Sequence, residues 1–130
     1  MLLPIIAAAV ASFAVGALWY GPVFGKYWMS LMNFTPESMK AMTMTPARAM
    51  TIGFASQLVF AFVLSRFVSA ASMNVWGAMV LAFWIWLGFY ATTTLGGYLW
   101  EGKPLKLVAF NAAYQLVGLL VTAAVLGAFL

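Results

Sequence analysis

Four long apolar stretches, Leu2 to Tyr20, Ala47 to Val68, Val75 to Trp100 and Leu105 to Leu130, take up most of this 130-residue chain. Each is near or above the ~20 residues that carry a helix across a hydrocarbon core. None alternates with the period of two that a barrel strand needs, and a backbone in hydrocarbon has to satisfy its own N–H and C=O groups, so each stretch has to be a helix. The fold class is therefore all-α: a polytopic membrane protein with four transmembrane helices in an antiparallel bundle, one domain over residues 1–130. The charge content agrees. Only 6% of residues are charged, against roughly 25% in a water-soluble domain, too few to cover even one face of a globule.

The composition also removes most catalytic chemistry. The chain has no Cys, no His, no Asp and two Glu, so thiolate, imidazole and disulfide chemistry are excluded. No catalytic residue, metal site or cofactor is expected, and a non-enzymatic role follows because acid–base work needs positioned titratable groups. The Met and Trp residues read as gap fillers and interface anchors rather than a pigment pocket. A net charge of +4 does not imply nucleic acid, since Lys26, Lys40, Arg48, Arg66, Lys103 and Lys106 are dispersed, and phosphate binding wants cations on one face.

The first stretch has no basic residue before Lys26, which distinguishes it from a secretory signal. Leu18-Trp19-Tyr20-Gly21-Pro22 places rings suited to the headgroup layer before a Gly-Pro stop. From Phe24 to Phe34 the apolar Phe24, Trp28, Leu31 and Met32 share a helical face opposite Lys26, Ser30 and Asn33. This segment is either a short helix lying in the interface or an irregular aromatic loop. Thr35-Pro36-Glu37 and Thr45-Pro46-Ala47 each place a hydroxyl cap before a proline at a first helical position, the second opening the second span. Short connections make successive helices antiparallel neighbours. Lys26, Lys40, Arg48, Lys103 and Lys106 fall on one side of the membrane and Arg66 alone on the other. By the positive-inside rule the long connections face the cytoplasm and both termini lie outside.

Two features suggest a duplicated hairpin. Leu18-Trp19 with Gly21 recurs as Leu99-Trp100 with Gly102, and Ala55, Gln57, Leu58, Val59 and Val63 recur at the same spacing as Ala113, Gln115, Leu116, Val117 and Val121. Parallel repeats of this kind place Gln57 and Gln115 in equivalent positions, although Leu, Val and Ala match easily by chance. Polar and small residues then form stripes. Asn111, Tyr114, Gln115, Gly118 and Thr122 fall within an arc of roughly 100° on the fourth helix. Ala49, Gly53, Ser56 and Gln57 do so on the second, Gly88, Thr92 and Gly96 on the third, and Ala8, Ser12 and Gly16 on the first. Two readings stay open. The stripes are packing faces, with amides bonding across helix contacts, or Asn111, Gln115, Gln57 and Tyr114 line a polar path or hold a lipid or quinone head group. Glu101, the one acid near a span, reads as a solvated loop charge within reach of Lys103, Lys106 or Lys26.

The segments Leu18-Trp19-Tyr20-Gly21-Pro22-Val23-Phe24-Gly25-Lys26 with Trp28, and Tyr98-Leu99-Trp100-Glu101-Gly102-Lys103-Pro104-Leu105 leading to Asn111-Ala112-Ala113-Tyr114-Gln115-Leu116-Val117, give the chain nearly full-length similarity to the domain of unknown function 1761 family. The resemblance implies a small, mostly bacterial, four-helix integral membrane protein. It implies no activity and carries over no functional residue. Two roles are expected to compete. One is a self-associating or accessory subunit of a membrane complex, surrounded by lipid and packed as a homo-oligomer or within a larger assembly. The other is a facilitator for a small neutral solute at an oligomer interface, lined by Asn111, Gln115 and Gln57. A reporter fused to either terminus is expected to be active only outside the cytoplasm; cytoplasmic activity would reverse the orientation.

Overall fold

The computed structural model describes residues 2–32 and 46–129, and every regular element among them is helical. Helix α1 (Leu2–Leu18) passes into a π-helical turn, Trp19–Val23. There Gly21 leaves helical dihedrals (φ −113°, ψ −113°), and Pro22, which has no N–H, cannot donate to the ladder. The axis breaks and the chain re-enters a helix at α2 (Gly25–Met32), so the aromatic segment is helical rather than an irregular loop. The Gly-Pro pair acts as a kink between two helices. Helix α3 (Pro46–Ala70) starts on the proline that marks the second start signal. The other signal, Thr35-Pro36-Glu37, lies outside the described residues.

Helix α3 ends in a Schellman closure: Met73 N–H donates to Val68 O (3.0 Å) and Ser72 N–H to Ser69 O (3.1 Å). Ser72 takes the left-handed conformation there (φ 51°), a position glycine usually fills. Two residues on, the Asn74 side chain accepts from Gly77 N–H (2.8 Å) and caps α4 (Val75–Leu99). Midway along α4 the ladder widens into a second π-helical turn, Trp86–Ala91. Helix α5 (Leu105–Phe129) completes four helices long and apolar enough to cross a membrane.

The packing order is not the chain order. Helix α5 lies against α1 and α4 and more lightly against α3, while α3 leans on α1; α3 and α4 make hardly any close backbone contact. The expectation that successive helices are neighbours therefore fails for this pair. Side-chain size gives the reason. The core uses Ala8 and Ala9 on α1, Ala61 on α3, Ala78 and Ala82 on α4 and Ala123 on α5, and small residues let helix backbones close in. Between α3 and α4 the larger Phe60, Val63, Ile85 and Tyr90 line an open cleft, with Phe67 and Phe89 more than half exposed at its sides.

At the end bearing the termini α5 touches the start of α4 so closely that a Cβ on Gly127 would sit 2.8 Å from Val75 Cα and 2.9 Å from Asn74 O. Backbone cannot move aside as a side chain does. Gly127→Ala is thus expected to cost about 1–3 kcal/mol, the usual range for overpacking. Gly88→Ala, where nothing lies within 4 Å, is expected to be neutral or to gain up to about 1 kcal/mol from helix propensity. Denaturant unfolding of the two variants in mild detergent checks the contrast, and equal losses would contradict it.

Candidate functional site

Side-chain pairs among the described residues join different spans. Ser12 Oγ on α1 donates to Gln57 Oε1 on α3 (2.8 Å), Thr94 Oγ1 on α4 donates to Gln115 Oε1 on α5 (3.2 Å), and Tyr20 Oη, in the turn after α1, donates to Asn111 Oδ1 on α5 (2.7 Å). Trp86 Nε1–H adds a bond to the Ala112 carbonyl (2.8 Å) across the α4–α5 contact. All three intramembrane amides are thus engaged through their carbonyl ends. Such bonds between membrane helices contribute about 0.6–2 kcal/mol each.

Gln57 and Gln115 both line one cavity of about 60 Å³, together with Phe60, Tyr90, Tyr114, Gly118 and Leu119. Among the described residues neither amide nitrogen and neither phenol hydroxyl of this group hydrogen-bonds to protein. Through Tyr114 and Gln115 the cavity adjoins a larger space of about 930 Å³ that reaches Tyr20, Thr94, Lys103 and Asn111. Through Phe60, Tyr90 and Leu119 it adjoins an apolar cleft of about 500 Å³ between α3 and α4. The gap between α3 and α4 therefore has a polar centre and an apolar half.

The candidate residues divide. Asn111, Tyr114, Gln115 and Gln57 come together around these connected spaces. Thr122 stands apart: fully buried, it donates back to the Gly118 carbonyl four residues earlier (2.8 Å). Of the small residues, Ser12 is buried on Gln57, Gly118 is buried beside Tyr114, and a Cβ on Gly53 would meet Phe13 at 3.9 Å. Gly16 lies under the Tyr114 ring, where a Cβ would meet Oη at 2.8 Å. Gly88 and Thr92 are turned away from the other spans, and Gly96 is half-buried. Gly88 and Thr92 are exposed, Thr92 donates to its own helix at Gly88 O (2.8 Å), and Gly96 has only Trp100 of the same helix nearby. The face of α4 that packs carries Ala78, Ala82, Trp86, Thr94 and Gly97 instead. The wide turn at Trp86–Ala91 changes the residue repeat, so spacing four no longer tracks one face through it.

Several participants escaped sequence reasoning. Trp19 and Tyr20, expected at the headgroup layer, turn into a cluster with Phe24, Trp28, Phe110 and Tyr114, with ring centroids 4.7 to 6.3 Å apart. The Trp19 indole N–H is buried there without an acceptor. Thr94 was hidden in a run of three threonines, of which Thr92 and Thr93 bond back to Gly88 and Phe89 carbonyls. Tyr90 carried no signal, being one ring among many. Glu101 pairs with Lys103 (3.5 Å), both exposed, over Gly97, whose missing Cβ makes room.

Tyr20→Phe removes one bond and keeps the ring. It is expected to cost about 0.6–2 kcal/mol in detergent unfolding, and little further when added to Asn111→Leu, because the two residues share one interaction. Additive losses in that double-mutant cycle would mean that the Tyr20–Asn111 bond carries no stability.

No curated protein and no solved structure matches the chain. Residues 3–127 match the family described as Protein of unknown function (DUF1761). With that match covering almost the whole length, and with the expected four apolar helices in place, the chain belongs to the DUF1761 family.

Proposed function

We propose that this membrane protein acts without catalysing a reaction, as a subunit that associates with copies of itself or with a larger complex in the bacterial plasma membrane, its termini on the outer side. The observation that supports this reading is the coverage of α4. Only 11% of the residues in its apolar window are buried, against 22% to 28% for the other three spans. The side it leaves open includes Gly88 and Thr92 flanked by the exposed rings of Trp84 and Phe89, so a neighbouring helix could seat at the glycine between them. In lipid, such a surface favours a second helix, because close backbone approach gains van der Waals contact that lipid tails give less well. The hydroxyls of Thr92 and Thr93 are already satisfied within α4, so the contact would rest on packing rather than hydrogen bonds. Among the described residues of the spans, Arg48, Arg66 and Lys106 stand near helix ends and the other titratable groups are tyrosines, a sparse set for acid–base work that supports a role in assembly over catalysis.

Mass measurement of the intact assembly in mild detergent tests the proposal. The expected result is a dimer, a higher oligomer or a stoichiometric complex, shifted toward monomer by Gly88→Ile with unchanged helix content. A strictly monomeric chain with no co-purifying partner would refute it.

A further inference from the structure

Independently of any association, the cavity between α3, α4 and α5 has the chemistry of a ligand site. Its unused hydrogen-bonding groups are mainly donors: the amide nitrogens of Gln57 and Gln115 and the hydroxyls of Tyr90 and Tyr114, since both amide carbonyls already accept from Ser12 and Thr94. These four residues are half-buried and open to the space beside them; with hydrocarbon rather than water there, a donor without a partner costs about 1–3 kcal/mol, so a group that accepts is favoured. Among the described residues no charged side chain lines the cavity itself, Lys103 lying in the larger space beside it, so an ionised head group seated in the cavity would lack a counter-charge in contact with it. The accepting group is therefore neutral.

Size narrows it further. A volume of about 60 Å³ takes a carbonyl or one or two waters, whereas an aromatic ring the size of benzene occupies an engineered cavity of ~150 Å³. An ester carbonyl fits this narrow part, whereas a quinone ring would have to sit in the larger adjoining spaces. The rest of the ligand is indicated by what adjoins. The cleft of about 500 Å³, lined by Val63, Leu64, Phe67, Leu81, Ile85 and Leu119, leads from the cavity toward the Arg66 end of α3. From Tyr90 to Leu81 it runs roughly 13 Å along α4 at the usual helical rise, close to half of a ~30 Å hydrocarbon core. That is the space of a single hydrocarbon chain from one leaflet, and the separation of α3 from α4 gives it a lateral entrance.

We propose that Gln57, Gln115 and Tyr90 bind the ester carbonyl of a neutral acyl lipid whose chain lies in the cleft between α3 and α4. The occupant is a glyceride rather than a phospholipid, because an uncharged head reaches the middle of the membrane at far lower cost than a phosphate. This site is formed by one chain and does not depend on oligomerisation.

The test uses the full-length protein in mild detergent and monooleoylglycerol isotope-labelled at the ester carbonyl. Infrared difference spectra are expected to show the labelled band shifted to lower frequency than in protein-free micelles, and native mass spectra to show one glyceride retained per chain. Tyr90→Phe, which keeps the ring against Phe60 (centroids 6.4 Å apart), is expected to weaken binding roughly tenfold, the equivalent of one hydrogen bond, with unchanged thermal stability. Gln115→Leu is expected to weaken it at least as much. An unshifted carbonyl band would mean that the cavity holds water alone and would overturn the proposal. Unchanged binding by Tyr90→Phe, or displacement of the glyceride by equimolar phosphatidylglycerol or an isoprenoid quinone, would overturn it as well.

Discussion

Hydrocarbon offers a polar group no partner, and this condition decides where the few polar side chains of the chain go. An amide facing acyl tails would lose its hydrogen bonds outright. Each intramembrane amide instead meets a hydroxyl from a different span: Gln57 meets Ser12, Gln115 meets Thr94 and Asn111 meets Tyr20. Hydroxyls with no such partner bond back along their own helix, as Thr51, Thr92, Thr93 and Thr122 do. The bundle is thereby pinned at three cross-span points, and its interior acquires a polar centre that apolar packing alone would not produce.

Side-chain size shapes the rest. Where alanine and glycine meet, as at Ala8, Ala82, Ala123 and Gly127, helices close tightly on α5. Where the larger Phe60, Val63, Ile85 and Tyr90 line the facing sides, α3 and α4 part and leave an apolar cleft beside the polar centre. A bundle with α5 at its middle and a gap between consecutive spans can present an internal site to the lipid and an uncovered α4 face to a neighbour.

Much of this was legible in the residues. Length and apolarity alone specified four spans, Pro46 marked the start of α3, and the shared spacing around Gln57 and Gln115 placed them as counterparts. The structure gives the pair matching environments: in each hairpin a hydroxyl on the first helix bonds the amide on the second. What could not be read was anything that depends on the helical repeat changing. The π-helical turn of α4 exposes Gly88 and Thr92 and turns Thr94 inward, although a constant repeat had put Gly88, Thr92 and Gly96 on a packing face. The kink at Gly21 likewise belongs to an aromatic cluster around Trp19 and Tyr20, since headgroup-loving rings and rings that fill a kinked junction are the same residue types. Which helices touch was also hidden, because a short connection fixes only the ends of α3 and α4 and not the bulk of what stands between them.

The inward placement of the amides is most directly measured by side-chain NMR of the protein in lipid nanodiscs containing a spin-labelled lipid. The NH₂ signals of Gln57 and Gln115 are expected to keep their intensity while the methyl groups of Val59, 64% exposed on the outer side of α3, are broadened away. Loss of the two amide signals in parallel with Val59 would place them against acyl chains and contradict the account at its root.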